Sequence, residues 1–326
     1  MHGLPGQVIG GTIHGQGELI FLKETQILWT CEGKGSKLVG KHVWPFAFIL
    51  PKQVEVKSCG TGKYDLPPSF AKYSSGLRVD YRLLVEIKRG GFPKIDKTLL
   101  TLFGYEINSV SEPLSELRQL AYTEEIPLFG PEVDPYGWKV LPAFVVKGTL
   151  SGKALQVEIT LAISNPTTYA IGYPIPLRIT LKTRSKDALV LEELAKPTAI
   201  GLDEGFAFWW STPQDDPDPN QVANNTRELH GELDVPRTIK PTFLFPRCSV
   251  RYTLQLLPLT APGWINASDT QYPLLSERVT IVSRQGPGMN VRSDAPPGYD
   301  RSQAVNYLQS VDLLENENQI VVSRRI

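Results

Sequence analysis

The chain has 326 residues, room for two domains of roughly 100–200 residues each. Lys+Arg 34 against Asp+Glu 34 leaves no net charge to condense on nucleic acid, which disfavours non-specific polyanion binding. With 27 prolines and 27 glycines the composition suits short strands joined by tight turns rather than long helices.

The opening stretch MHGLPGQVIGG lacks a basic region followed by an apolar run of signal-peptide length, and no segment approaches the ~18 apolar residues of a membrane span. Cys31, Cys59 and Cys248 form no CxxC pair and are odd in number, so a reducing, cytosolic compartment is expected.

Period-two alternation is the dominant signal. In GKHVWPFAFILP the aromatics Trp44, Phe46 and Phe48 alternate and read as strand core. RVDYRLLVEIK places Val79, Tyr81, Leu83, Val85 and Ile87 on one face. The pattern then pauses. SEPLSELRQLAY, from Ser111 to Tyr122, is the one capped helical segment, with Ser111 as N-cap, and EEIPLFGPEVDPYGW after it reads as a connection between domains.

Alternation resumes in LQVEITLAI, through Leu155, Val157, Ile159, Leu161 and Ile163, and in PLRITLKT, through Leu177, Ile179 and Leu181. Phe206, Phe208 and Trp210 read as a further core strand, and STPQDDPDPNQVANNT as a long polar loop. SVRYTLQLL reads as one strand, through Val250, Tyr252, Leu254 and Leu256. After Val282 the alternation stops, and only VDLLENENQIVV in the remainder carries enough apolar residues to dock on a partner. The expected organisation is all-β: residues 1–113, a connection at 114–137, residues 138–286, and a mostly disordered tail at 287–326.

No catalytic constellation emerges. CGTGKYD lacks the earlier glycine and the Ser/Thr of a phosphate loop and reads as a turn, and the four histidines are widely spread without metal-ligand spacing. Adjacent Asp203 and Glu204 would face opposite ways on a strand, and Asp215, Asp216 and Asp218 lack the glycine and glutamate of a calcium loop. The expectation is a protein that is not an enzyme and uses no cofactor or metal. Basic residues at two hairpin ends, Lys182, Arg184 and Lys186, and Lys88 and Arg89 with Lys94 and Lys97, are candidates for contact with acidic cargo tails or anionic lipid.

Several motifs fall in a telling order. GQVIGGTIHGQGELIFLKETQILW, GKHVWPFAFILP, LPPSF and YRLLVEIKRG are followed by LQVEITLAISNPTTYAIGYPIPLRITLKTRS, RELHGELDVP and KPTFLFPRCSVRYTLQL. Over roughly residues 6–285 this order resembles the N- and C-terminal domains of the alpha-arrestins. The resemblance implies two consecutive immunoglobulin-like β-sandwiches and a flexible tail. It also implies an adaptor that binds the cytoplasmic part of a membrane transporter or receptor. VIGGTI resembles the family's second strand, so the first is missing. The same fold admits a retromer-type vesicle-sorting subunit. A secreted carbohydrate-binding or hydrolytic β-sandwich is the alternative of another class.

In the tail, APPGYD contains Pro296, Pro297 and Tyr299 in the Pro-Pro-x-Tyr form read by WW domains. Two prolines hold a polyproline II helix that loses little entropy on docking, and the tyrosine ring fills a neighbouring pocket. The alpha-arrestin resemblance implies that this motif recruits a WW-containing HECT-type ubiquitin ligase. Cargo would then be ubiquitinated and endocytosed by a cytoplasmic protein that visits the plasma membrane or endosomes.

The compartment reading has a direct check. The sequons at Asn224 and Asn266 should carry no sugar, and all three thiols should be free, in protein taken from its own cell type. A glycosidase-sensitive mass shift would instead favour the secreted alternative.

Overall fold

Strand alternation dictates the architecture seen in the computed structural model of the chain. Residues 5–15, 17–30, 39–56, 62–72, 76–87, 97–183, 207–210, 225–258, 263–267 and 273–295 are described. Among them are nineteen strands and one helix, so the class is all-β. No helix among them is long and apolar enough to cross a membrane. The chain forms two units. Unit 1 takes Met1–Ile107 together with Phe243–Val250, and unit 2 takes Asn108–Thr242 and, among the described residues, 251–295.

Unit 1 contains β1 (Pro5–His14), β2 (Leu19–Ile27), β3 (Gln53–Val56), β4 (Gly62–Asp65), β5 (Phe70–Lys72), β6 (Leu77–Ile87) and β7 (Lys97–Phe103). The main sheet runs β2-β1-β6-β5, with β7 also paired to β6. β1 therefore has a partner on each side, and among the described residues β2 ends the sheet on that side. Gly11 allows the close packing at its centre: a Cβ there would come within 2.5 Å of the Phe21 ring. Phe21 in turn meets Tyr81 edge-on at 5.6 Å. The fully buried Tyr81 donates its hydroxyl to the Pro67 carbonyl at 2.6 Å.

Unit 2 contains α1 (Glu116–Thr123), β8 (Trp138–Val140), β9 (Phe144–Leu150), β10 (Lys153–Ser164), β11 (Thr168–Ala170), β12 (Pro174–Thr183), β13 (Ala207–Trp210) and β14 (Thr226–Asp234). After β15 (Phe243–Phe245) and β16 (Cys248–Val250) the chain returns to it for β17 (Tyr252–Leu256), β18 (Trp264–Asn266) and β19 (Leu275–Val282). One sheet runs β13-β14-β12-β10-β9-β18 with β8 paired to β10, and a second runs β11-β19-β17. The alternate residues of β10 and β12 named above are all buried, and they share one core with Leu254, Leu256, Val279 and Ile281 of the second sheet.

Four expectations need correction. SVRYTLQLL is not one strand. Cys248–Val250 pairs with β15 in unit 1, whereas Tyr252–Leu256 pairs with β19 in unit 2. Because residues 248 to 256 keep the same parity across Arg251, period two cannot register the exchange of partners. Phe243, Phe245 and Cys248 thus complete the core around Phe21 and Tyr81. Phe245 meets Phe21 at 5.1 Å and Tyr64 at 5.7 Å.

The helix begins later than expected. Ser115, not Ser111, is its N-cap and accepts the Arg118 N–H at 3.2 Å. Ser111 is instead committed to residues 284–286: its N–H donates to the Arg284 carbonyl and its hydroxyl accepts from Gly286 N–H.

Residues 41–50 form no strand, and Trp44 and Phe46 are 36% and 43% exposed. Without a neighbouring strand to pair with, alternation has no sheet face to turn toward a core. The rings meet locally instead, His42 stacked on Trp44 and Phe46 edge-on to Phe48. In the other aromatic group the core position on β13 goes to Trp209, not to Trp210, which is buried on the opposite face, while Phe206 and the Phe208 side chain lie outside what is described.

Finally, the polar stretch after Val282 keeps fixed contacts on unit 2 as far as Ala295, beyond the expected start of a tail at residue 287.

The borrowed hairpin predicts a split response. Phe245→Ala should cost unit 1 about 3–5 kcal/mol, the usual cost of deleting a buried ring. Burial pushes the Cys248 thiol up to about 11, so alkylation should be slow in the native chain and much faster in the variant. Hydrogen exchange should rise in β1, β2 and β6 while β10 and β12 keep their protection. Equal loss of protection in both units would contradict this assignment.

Candidate functional site

The same alternation that buries one face of β12 and β14 turns a charged row outward. On β14, Leu229 joins the core, so Glu228, His230 and Glu232 face the other way. On β12, Arg178 stands opposite His230 in register, between the buried Leu177 and Ile179. On β13, Trp209 faces the core and Trp210 faces out, 6.5 Å from the His230 ring.

Three pieces of chain cover this face. The first is α1, whose Arg118 is only 2% exposed. Its guanidinium lies over the Trp138 ring at 4.4 Å and donates to the Gly137 carbonyl at 2.6 Å. Burial lowers the Arg118 pKa, opposed by nearby Tyr122 and Asp134. Asp134 organises this corner by accepting from the Ser115 hydroxyl at 2.6 Å and from Gly137 N–H at 2.9 Å. Gly137 has no space for a side chain, since a Cβ would sit on the Asp134 carboxylate.

The second piece is the loop after α1. Trp138 donates its indole N–H to Phe129 O at 2.7 Å. Arg178 lies 5.3 Å from the same ring, donates to Leu128 O at 2.6 Å and pairs with Glu228 at 2.7 Å. Trp138 is thus approached by two guanidinium groups, an arrangement that holds the loop to the sheet.

The third piece is the strap of residues 291–295. Val291 packs with Ala121, Tyr122 and Leu128. The Ser293 hydroxyl donates to Glu232 at 2.6 Å, and Asp294 N–H donates to the other oxygen of the same carboxylate. Ala295 N–H turns back to the Ser293 hydroxyl at 3.2 Å. Glu232 is 1% exposed, so these donors stand in for lost water around a desolvated charge. Burial raises the Asp294 carboxyl, although it accepts a hydrogen bond from Leu128 N–H and faces Arg292, Arg178 and Arg118.

Between Trp138, Arg178, His230, Glu232 and Asp294 the surface dips, leaving space for no more than a water molecule. The dip is too small to hold a small-molecule ligand. Among the described residues no group of three or more His, Cys, Asp and Glu is placed to hold a metal ion.

The sequence-based candidates fare unevenly. Pro296, Pro297 and Tyr299 follow the strap directly but lie outside the described residues, as do Arg184, Lys186, Lys88 and Arg89. Lys182 is exposed near the end of β12, opposite Glu158 and Thr226 in register, on the same sheet face as Arg178 but four residues further along the strand. Glu228, Glu232 and Arg178 were not singled out, although RELHGELD already shows charges alternating with Leu229 and Leu233. Arg118 and Trp138 carry no such signal. No model of a known protein family matches the chain, and no curated protein matches it.

His230 gives a pH test. Burial, and then Arg178, pushes it down to about 4, even though Glu228 lies 3.6 Å away, because that carboxylate oxygen already serves Arg178. The unfolded chain, with an ordinary value near ~6.5, binds the proton first. Stability from this group is therefore complete above pH ~6.5 and falls as pH drops toward 4. Denaturation midpoints between pH 7.5 and 4.5 should decline more steeply for wild type than for His230→Gln; identical slopes would remove His230 as a cause.

Proposed function

We propose that this protein is a non-enzymatic adaptor of the alpha-arrestin type. Its two units act as β-sandwiches that bind the cytoplasmic part of a membrane transporter or receptor, and its Pro-Pro-Gly-Tyr segment brings a WW-domain HECT-type ubiquitin ligase to that cargo. The order of the strand motifs along the chain supports the first half of this reading. The observation that carries the second is positional. In sequence, Pro296 directly follows residues 293–295, which are held on unit 2.

Ligand chemistry sets the scale of recruitment. Burying a tyrosine ring of ~150–250 Å² at ~25 cal/mol per Å² gives a gross ~4–6 kcal/mol, much of it offset by association entropy. A single site of this kind binds at tens of micromolar, about −6 to −7 kcal/mol, and stronger recruitment comes from simultaneous contact with cargo and membrane. Lys182, exposed near the strand end, is one basic contact available to acidic cargo or lipid.

Titrating an isolated WW domain with a tail peptide tests the reading. Tyr299→Ala should weaken binding by about 2 kcal/mol, roughly thirtyfold, and Pro297→Ala should weaken it through a looser polyproline helix. Ubiquitination of the co-expressed full-length protein should fall with Tyr299→Ala. Equal binding by both peptides together with unchanged ubiquitination would make the segment a linker turn.

A further inference from the structure

Just before β3, unit 1 leaves a run of large apolar side chains in water. Val39, Val43, Trp44, Phe46 and Ile49 are all exposed, Val43 and Ile49 at 81% and 94%. Residues 41–50 join no strand, and among the described residues no backbone group pairs with residues 43–51. Apolar side chains scattered singly over a surface are ordinary, but five of them close together in one segment form a patch that calls for a partner.

The charge around this patch has one sign. In sequence, residues 33–54 contain four lysines and no acidic residue. Two of these, Lys41 and Lys52, are described; both are exposed, and they bracket the apolar run at its two ends. The acidic residues that follow stand in the β3–β4 hairpin, where Glu55 lies opposite Lys63 in register and Asp65 accepts from the Gln53 side chain at 2.9 Å. Basic ends around an aromatic and aliphatic middle match the two layers of an anionic lipid surface, acidic headgroups over an acyl boundary. A tryptophan is the side chain best suited to that boundary.

The form of the segment sets how it can meet lipid. Ten residues between the two lysines are too few to cross a bilayer as a helix. Their unpaired backbone groups also keep the chain out of the hydrocarbon interior, so it has to lie at headgroup depth with only its side chains dipping further. Apolar residues stand at both odd and even positions, Val43 and Ile49 against Trp44 and Phe46. A strand added from another protein would pair along one edge of the segment, whereas a fluid acyl layer can receive all four.

We propose that residues 39–52 are a membrane-contact segment that lies on an anionic bilayer, with Val43, Trp44, Phe46 and Ile49 inserted at the acyl boundary and Lys41 and Lys52 on acidic headgroups. This contact is separate from the basic hairpin ends and does not depend on the Pro-Pro-Gly-Tyr segment.

The test uses the full chain with vesicles of phosphatidylcholine alone or mixed with phosphatidylserine. Wild type should bind the mixed vesicles at least about tenfold more tightly than the neutral ones, and less tightly as salt is raised. Ile49→Ser should weaken binding to mixed vesicles about tenfold, and Lys41→Gln combined with Lys52→Gln about twentyfold. Lipids brominated on their acyl chains should quench part of the tryptophan fluorescence of wild type, and Trp44→Phe should lose most of that quenching while it still binds. All these positions are exposed, so the variants should keep the wild-type denaturation midpoint. No binding to mixed vesicles overturns the proposal. So does binding that Ile49→Ser leaves intact with no quenching of Trp44, which would assign lipid contact to the basic hairpin ends alone. If instead the wild-type chain sediments as a dimer that Ile49→Ser dissolves while vesicle binding is unchanged, the patch serves a second copy of the chain and the membrane assignment falls.

Discussion

A charged row on the back of a β-sheet has to be covered or left in water, and much of unit 2 follows from covering it. Arg178, Glu228 and Glu232 stand on the face of β12 and β14 opposite the apolar core, and Arg118 joins them from α1. Once desolvated, each needs partners, because an unpaired buried charge costs more than any single contact can return. Their partners are backbone carbonyls of the cover, an indole ring, and the N–H and hydroxyl groups of residues 293 and 294. The helix, the loop and the strap are located by these bonds.

Two kinds of cohesion therefore coexist in unit 2. The inner core is apolar and continuous, drawn from both of its sheets. The outer cover has only a small apolar cluster, Ala121, Tyr122 and Leu128 with Leu114, Phe129 and Val291 against it. Directional bonds to charged groups hold strongly while complete and fail together when one is lost. A cover of this type can open locally without loosening the sheet beneath it.

Unit 1 depends on a different constraint. Its core needs Phe243, Phe245 and Cys248, which arrive from the far half of the chain between strands of unit 2. The aromatic cluster of Phe21, Tyr64, Tyr81 and Phe245 is completed by that return. Unit 1 is thus assembled from segments well over a hundred residues apart, a long-range closure that must be made before its core is worth anything.

Periodicity by itself determined the all-β class and the buried faces of β10 and β12, because side-chain direction in a strand depends only on parity. On β6 it holds for Val79 and Tyr81, while Leu83 and Val85 are only half-buried and Ile87 is exposed. It also contained Glu228 and Glu232, legible in RELHGELD as charges out of phase with the leucines. What parity cannot state is the partner. SVRYTLQLL keeps its phase while passing from one core to another, and WPFAF keeps its phase with no sheet to join. Nor does local sequence say that Ser293 and Asp294 meet a carboxylate some sixty residues earlier, or that Arg118 and Arg178 approach one indole ring. Those choices belong to tertiary structure, since the energy of a hydrogen bond or a buried charge depends on what packing brings within 3 Å of it.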